Sequence, residues 1–154
     1  MKNLKIEEHK NKDFLYKLLC LKLKTTNMRR YKNEKYYVIK SEDNIVYGIA
    51  RLINGVTKEE KARLINFKNF KLRKKDKRKR IKGLIGIWVS DEIRGKGYGK
   101  KLINARAKQI KKGDIIISDV RVTSPLLNYY KEKYKMKEIK KTNTHIYIKN
   151  KKYK

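Results

Sequence analysis

Residues 84–110 read LIGIWVSDEIRGKGYGKKLINARAKQI, and the fold turns on how this stretch is read. Leu84 to Val89 is an apolar run too short for a buried helix, and its Ile87, Trp88 and Val89 favour a buried strand. Arg94-Gly95-Lys96-Gly97-Tyr98-Gly99 then places three glycines at alternate positions. From Lys100 to Ile110, the residues Leu102, Ile103, Ala105, Ala107 and Ile110 recur as one face of an amphipathic helix. Strand, glycine turn and helix together suit an anion. Glycine tolerates positive φ and lets a ligand approach the backbone, and a helix N-terminus adds oriented N–H groups and partial positive charge. Arg94, Lys96 and Lys100 bring full charges to the same place. A pyrophosphate is the expected guest, although a glycine turn that binds nothing would carry the same residues.

The spacing narrows the choice. A P-loop needs GxxxxGK[ST], which is absent, and the dinucleotide fingerprint is GxGxxG, whereas this turn is GxGxG. The run from Arg94 to Gly99 instead resembles the R/Q-x-x-G-x-G/A coenzyme A loop of the GNAT superfamily of N-acetyltransferases. That resemblance implies an α/β fold with a central mixed β-sheet and helices on both faces. It also implies acetyl-CoA as cosubstrate. The cosubstrate would lie in a split between the strand ending at Val89 and the strand Ile115 to Val120. Its pyrophosphate would meet amides from Gly95 to Lys100, and its pantetheine arm would add to Ile87-Trp88-Val89 as a short strand. Trp88 reads equally as a bulky core residue.

With 154 residues the chain is expected to form one domain, 1–154, with a basic insertion at about 56–83. Lys and Arg number 45 against 15 Asp and Glu, a formal charge of +30, which attracts polyanions. A weak electrostatic association with nucleic acid is the partner this charge suggests. The abundance of Lys, Asn, Ile and Tyr also fits a plain compositional bias. Cys20 is the single cysteine, so no internal disulfide can form, and it should pack in the apolar run around it. His9 and His145 are too few and too far apart for a metal site. No apolar span or signal pattern is visible, so an intracellular protein is expected, cytoplasmic by default with the nucleus as the alternative.

The rest of the chain fits the same frame. Leu4-Lys5-Ile6 reads as a strand, Asp13 to Lys24 as a helix carrying Phe14, Leu15, Leu18, Leu19 and Leu21, and Asn27 to Asn33 as a connection. Tyr36–Ile39 and Ile45–Leu52 read as a hairpin about Asp43-Asn44. Lys58 to Phe70 suits a helix, whereas Lys71 to Lys82 holds nine basic residues and only Asp76, the mark of a solvated or disordered block. Ile115-Ile116-Ile117 reads as a strand buried on both faces, parallel to the one ending at Val89. Ser124-Pro125 should start a helix running to about Lys135. Met136–Ile139 and His145–Ile148 should pair, leaving Asn150–Lys154 as a frayed tail.

Acyl transfer to an amine needs a base for the ammonium and a proton for the leaving sulfur. By resemblance, a tyrosine early in the last helix would give that proton, and Tyr129, Tyr130 and Tyr134 are the candidates. Tyr130 is the choice, with a packing role as the competing reading. The family pattern LYxxxGF is imperfect here: there is no glycine, and Met136 stands for Phe. Gly86-Ile87-Trp88-Val89, together with Ser118-Asp119 and Thr123, also resembles the cohesin lysine acetyltransferases, without their zinc finger or the proline after Asp119. That likeness implies a protein lysine as acceptor, Asp119 as base and Ser118 assisting; a turn-capping Asp119 would look the same. Two other readings use these residues differently. One is a basic nucleic-acid-binding protein, and the other is a catalytically inactive coenzyme A-binding pseudoenzyme.

Overall fold

A computed structural model describes residues 3–10, 13–25, 28–67 and 69–153. In chain order the elements begin with β1 (Leu4–Lys10), α1 (Asp13–Lys22), β2 (Glu34–Ser41), β3 (Val46–Asn54) and α2 (Lys58–Phe67). There follow β4 (Ile81–Gly83), β5 (Ile87–Val89), α3 (Tyr98–Ala107), β6 (Ile115–Arg121), α4 (Leu126–Tyr134), β7 (Lys137–Lys141) and β8 (His145–Lys149). This is a mixed α/β architecture with an open mixed sheet flanked by helices. Two compact units divide it, one from Met1–Leu52 and Gly86–Gln109, the other from Ile53–Ile85 and Ile110–Lys154. Asn27, Lys68 and Lys154, which the expected connection, helix and tail include, lie outside the described residues.

In the first unit β1 pairs antiparallel with β2 from Leu4↔Ser41 to Lys10↔Lys35. Asn44, with φ 64, turns the chain from β2 into β3, a left-handed conformation that asparagine tolerates better than most residues. β5 pairs antiparallel with β3. Leu15 and Leu19, one turn apart on α1, pack against Tyr36, Val38 and Ile49, with Trp88 and Met28 at the margin. The helix stops where Lys24 turns left-handed at φ 54 and Thr25 N–H donates to Cys20 O at 3.0 Å, a C-terminal cap. The expected apolar face is narrower than read: Phe14 and Leu21 are exposed, and Cys20 is only half-buried.

A buried ion pair anchors the same unit. Glu34 and Arg51 side chains are 0% and 1% exposed and meet at 2.5 Å, and Tyr36 Oη and Tyr31 N–H also donate to Glu34 at 2.6 and 2.7 Å. Burial, and then the Glu34 charge, push the Tyr36 hydroxyl well above its usual range. Arg106 of α3, itself buried, donates to Arg51 O at 3.2 Å. The helix that follows the glycine turn is therefore fixed to β3 by a polar contact as well as by Leu102.

In the second unit β4 runs parallel to β6, with Ile81↔Ile115 and Gly83↔Ile117 in register. β8 lies between β6 and β7 and is antiparallel to both, and the last residues of β3 pair with β4. Helix α2 begins in a reciprocal cap that the sequence reading passed over. Thr57 Oγ1 accepts from Glu60 N–H at 3.2 Å, and Glu60 Oε1 accepts from Thr57 N–H at 2.8 Å.

Three expectations need correction. The run Leu84 to Val89 is not one strand. Leu84 N–H donates to Ile117 O at 2.9 Å, which ends one strand, and Arg51 N–H donates to Gly86 O at 2.9 Å, which starts the next. Gly86 makes the break at φ +98, where an added Cβ would lie 3.0 Å from Leu19 Cδ2. Ile87, Trp88 and Val89 are half-buried rather than buried, and the parallel partner of β6 is β4, not the strand ending at Val89.

The basic block is folded. Phe70 stacks edge-on against Tyr147 at 5.4 Å, Leu72 and Asp76 are buried, and Arg78–Arg80 form a 3₁₀ turn. The tail is pinned: Ile116 N–H donates to Asn150 Oδ1 at 2.7 Å, and Gly113 N–H donates to Tyr153 O at 2.6 Å. Among the described residues, no helix is long and apolar enough to cross a membrane.

Candidate functional site

The phase of the β3–β5 ladder shows which groups of β5 are free. Arg51 N–H bonds Gly86 O at one end, and Ser90 N–H bonds Tyr47 O at 2.7 Å at the other. Antiparallel pairs alternate between bonded and non-bonded positions, so with Ile49 opposite Trp88 it is Trp88 that faces β3. Ile87 and Val89 therefore turn their N–H and C=O away from it. Among the described residues β5 pairs only with β3, and this second edge is open to an extended partner. The Trp88 ring packs on the α1 core, with Lys22 Nζ 4.9 Å from its centroid. Trp88 thus serves the core with its side chain, while its neighbours offer backbone.

After β5, Ser90 caps a 3₁₀ turn (Asp91–Ile93), its Oγ accepting from Glu92 N–H at 3.3 Å. Ile93 is fully buried and pins the turn. Gly95 and Gly97 follow at φ 78 and 83, values that side-chain-bearing residues avoid. Gly97 is the N-cap of α3 and supplies no side-chain cap, and no acidic residue occupies the helix's first turn. The first amides of any helix lack internal partners. Among the described residues, none of the amides from Gly95 to Lys100 has a protein acceptor. A Cβ added at Gly95 or Gly97 would meet nothing within 4 Å, whereas one at Gly99 would touch Val89 Cγ2 at 3.8 Å. Open space, unspent donors and uncapped positive potential coincide here. A pyrophosphate fits all three.

The charged residues of the turn differ from one another. Arg94 spends its guanidinium on Asp91 at 2.5 Å, both of them exposed. Lys96 and Lys100 are exposed and have no partner among the described residues. Tyr98 lies under Lys101 Nζ at 5.1 Å. Ser90 as a cap was missed from sequence, although a serine just before Asp-Glu was its signal.

The catalytic candidates lie in the second unit. Ser118 is fully buried and its Oγ donates to Leu84 O at 2.5 Å, closing the end of β4. Asp119 is half-buried, and as the next residue of β6 it points to the opposite face. It stands across from Tyr147, whose hydroxyl is pushed up by burial and then by the Asp119 charge. Beyond Ile117, β6 has no partner on its β4 side among the described residues. Tyr130 and Tyr134 are each 2% exposed and stack with ring centroids 6.3 Å apart. Tyr129 is half-buried, and its hydroxyl accepts from Lys133 at 3.1 Å.

The end of α4 bears on the imperfect family pattern. Lys135 caps the helix at φ 56, the conformation that glycine usually supplies, and Met136 follows, buried. Lys135 and Met136 thus stand where LYxxxGF has Gly and Phe. Counting back five residues from Met136 reaches Lys131, which pairs with Glu138 at 2.8 Å; Tyr130 falls on the buried leucine position. No cluster of metal-binding side chains occurs among the described residues.

Comparisons with known proteins bear on the fold and on the family. Solved structures share the fold at low identity. One from Klebsiella pneumoniae, provisionally described as an acyl-CoA N-acyltransferase, is 12% identical with a TM-score of 0.58, covering 96% of each chain. An acetyltransferase of the GNAT family from Staphylococcus aureus MU50 is 12% identical with a TM-score of 0.57, covering 96% of this chain and 98% of the other. Some relatives are longer: the chain spans 63% of a GNAT-family acetyltransferase from Listeria monocytogenes, which covers 75% of this chain at 16% identity and a TM-score of 0.43. No curated protein matches the sequence. The model of the acetyltransferase (GNAT) family matches residues 4–134, and the chain belongs to that family.

Proposed function

We propose that this protein is an acetyl-CoA-dependent N-acetyltransferase whose acceptor is a protein lysine. The observation that carries the first part is the run of unpartnered amides from Gly95 to Lys100, at an uncapped helix start and just after an open strand edge. These amides hold the pyrophosphate. Ile87 and Val89 orient the pantetheine arm through their outward N–H and C=O. Bound acetyl-CoA supplies the activated acetyl thioester. Asp119, half-buried on β6, accepts the proton that an ammonium with a pKa near ~10 must lose. A tyrosine of α4 returns a proton to the sulfur. Tyr130 is the residue we assign, and Tyr129, the more accessible of the two, is its rival. Ser118 supports the site through its bond to Leu84 O and thereby fixes the strand that carries Asp119.

The acceptor rests on electrostatics and on the likeness to lysine acetyltransferases. A chain of +30 repels free polyamines, whereas a lysine on an acidic protein arrives with compensating charge. The test is a thermal melt with acetyl-CoA. A ligand at roughly a hundredfold its Kd adds about 2.7 kcal/mol, a rise of several degrees for a chain of this size. No shift at millimolar acetyl-CoA would remove the enzyme assignment. A shift without acetylation of any amine, read by mass spectrometry on lysine peptides and polyamines, would leave a coenzyme A-binding pseudoenzyme. Tyr130→Phe and Tyr129→Phe then separate the two proton donors by which one slows turnover while sparing the melt shift.

A further inference from the structure

The second unit carries a basic groove that the acetyltransferase reading does not use. It runs between the start of α2 and residues 74–80. Lys58, Lys74, Lys75, Lys77, Arg78 and Lys79 line it, and none of their side-chain cations has a partner among the described residues. Two further cations in the lining are committed to the protein. Lys61 donates to Lys74 O at 2.6 Å and also to Asp76 O, and Arg80 reaches Asp114 at 3.4 Å. The remaining lining residue, Asp76, is 4% exposed, and its carboxylate accepts from Arg73 N–H at 2.8 Å. The acid is spent inside, so the cations outside stay uncompensated. Gly55 N–H to Ile81 O and Val56 N–H to Arg78 O, both 3.0 Å, fix the far wall.

We propose that this groove binds the phosphate backbone of nucleic acid, without sequence preference. The lining holds no apolar or aromatic side chain. A protein partner would need an apolar core to its interface, and single-strand recognition would need rings for base stacking. Phosphate contact needs only Lys and Arg. The groove is open to solvent and offers about 670 Å³, room for a run of phosphates rather than one. Order strengthens the case. Because Lys61 and Asp76 hold the backbone, the ammonium groups are already gathered and little chain entropy is lost on binding.

The experiment is a salt titration of a short fluorescein-labelled DNA duplex of arbitrary sequence, read by anisotropy between about 0.05 and 0.2 M salt. Lys74→Gln/Lys77→Gln/Lys79→Gln should lower the salt exponent by about three. A charge-matched triple on the other unit, Lys5→Gln/Lys10→Gln/Lys17→Gln, should lower it by less than about one. Equal losses would mean that net charge alone holds the DNA, and the proposal would fall. It would fall equally if inorganic polyphosphate or phosphatidylglycerol vesicles bound with the same dependence on Lys74, Lys77 and Lys79. Should the triple variant melt early, Lys77→Gln alone is expected to lower the exponent by about one. Acetyl-CoA stabilisation, measured on the same variants, should persist throughout and so keeps this test separate from that of the enzyme reading.

Discussion

Two segments of this chain each hold an arginine and an aspartate three residues apart, and the pairs behave differently. In the basic block Arg73 meets Asp76 at 3.1 Å, with the Asp76 side chain 2% exposed. In the glycine turn Arg94 meets Asp91 at 2.5 Å, with the Asp91 side chain 86% exposed. Asp76 also takes Arg73 N–H, so it shapes backbone. Among the described residues the Asp91 carboxylate takes only a guanidinium, and the backbone beyond it turns at Gly95 and Gly97 instead. A segment whose donors are satisfied by its own protein becomes scaffold and offers only side chains to a partner. A segment shaped by glycine leaves its N–H groups without protein acceptors. The block carries nine basic residues and the turn three, and the backbone of each is held in a different way.

The sharpest way to break this comparison is Asp76→Ala. It leaves the part-buried Arg73 N–H without its acceptor and frees the Arg73 guanidinium, a cost of about 1 to 2 kcal/mol. Denaturant melts should show that loss, and hydrogen exchange should quicken in residues 71–80. If the block exchanges as before, Asp76 is not its organiser. Next in size is Gly97→Ala. Forcing a side chain to φ 83 costs about 1 to 2 kcal/mol, and the acetyl-CoA melt shift should vanish as the turn relaxes. Gly99→Ala is the paired control. Gly99 lacks a positive φ and its added methyl makes ordinary contact with Val89, so stability should change by under about 0.5 kcal/mol.

These outcomes also explain what could be read from sequence. The glycine turn was legible because glycine permits the positive φ that Gly95 and Gly97 adopt, whatever the surroundings. The helices from Tyr98 and Leu126 were legible from periodicity and from Ser124-Pro125. The break at Leu84-Ile85-Gly86 was not, since an apolar run looks uniform and the reason for glycine is the approach of Leu19. The order of the basic block was hidden because a charge count cannot show that one aspartate is inside. Asn150 looked like tail until its amide was seen bonding Ile116 as backbone would. Among 11 tyrosines nothing local separated Tyr129 from Tyr130.

A smaller effect tests the block from its other side. Burial lowers the Lys149 ammonium's pKa, with Asp76 partly opposing that shift. A lysine depressed in the folded state is charged at a cost below its folded pKa, and stability recovers as pH climbs from there to the ordinary lysine value. Lys149→Met should therefore raise the Tm at pH 7 by about a degree or two, and the gain should fade near pH ~10.4. An equal gain at both pH values would mean that packing, not charge, is responsible.

The smallest effect carries the most information about the turn. Asp91→Ala removes one exposed ion pair, worth under about 1 kcal/mol, and the melting temperature of the free protein should barely move. If Asp91 merely decorates the surface, acetyl-CoA binding will not change either. If Arg94 serves the phosphates of acetyl-CoA, Asp91 competes with them for its guanidinium. Its removal should tighten acetyl-CoA modestly at low salt, by a few-fold at most, and the gain should be lost by about 1 M salt, where the screening length falls to about 3 Å. A loss of affinity would mean that Asp91 holds Arg94 in place for the phosphates, so the pair belongs with Arg73 and Asp76 after all. The sign of that one change decides whether the two pairs are different devices or the same one at two depths.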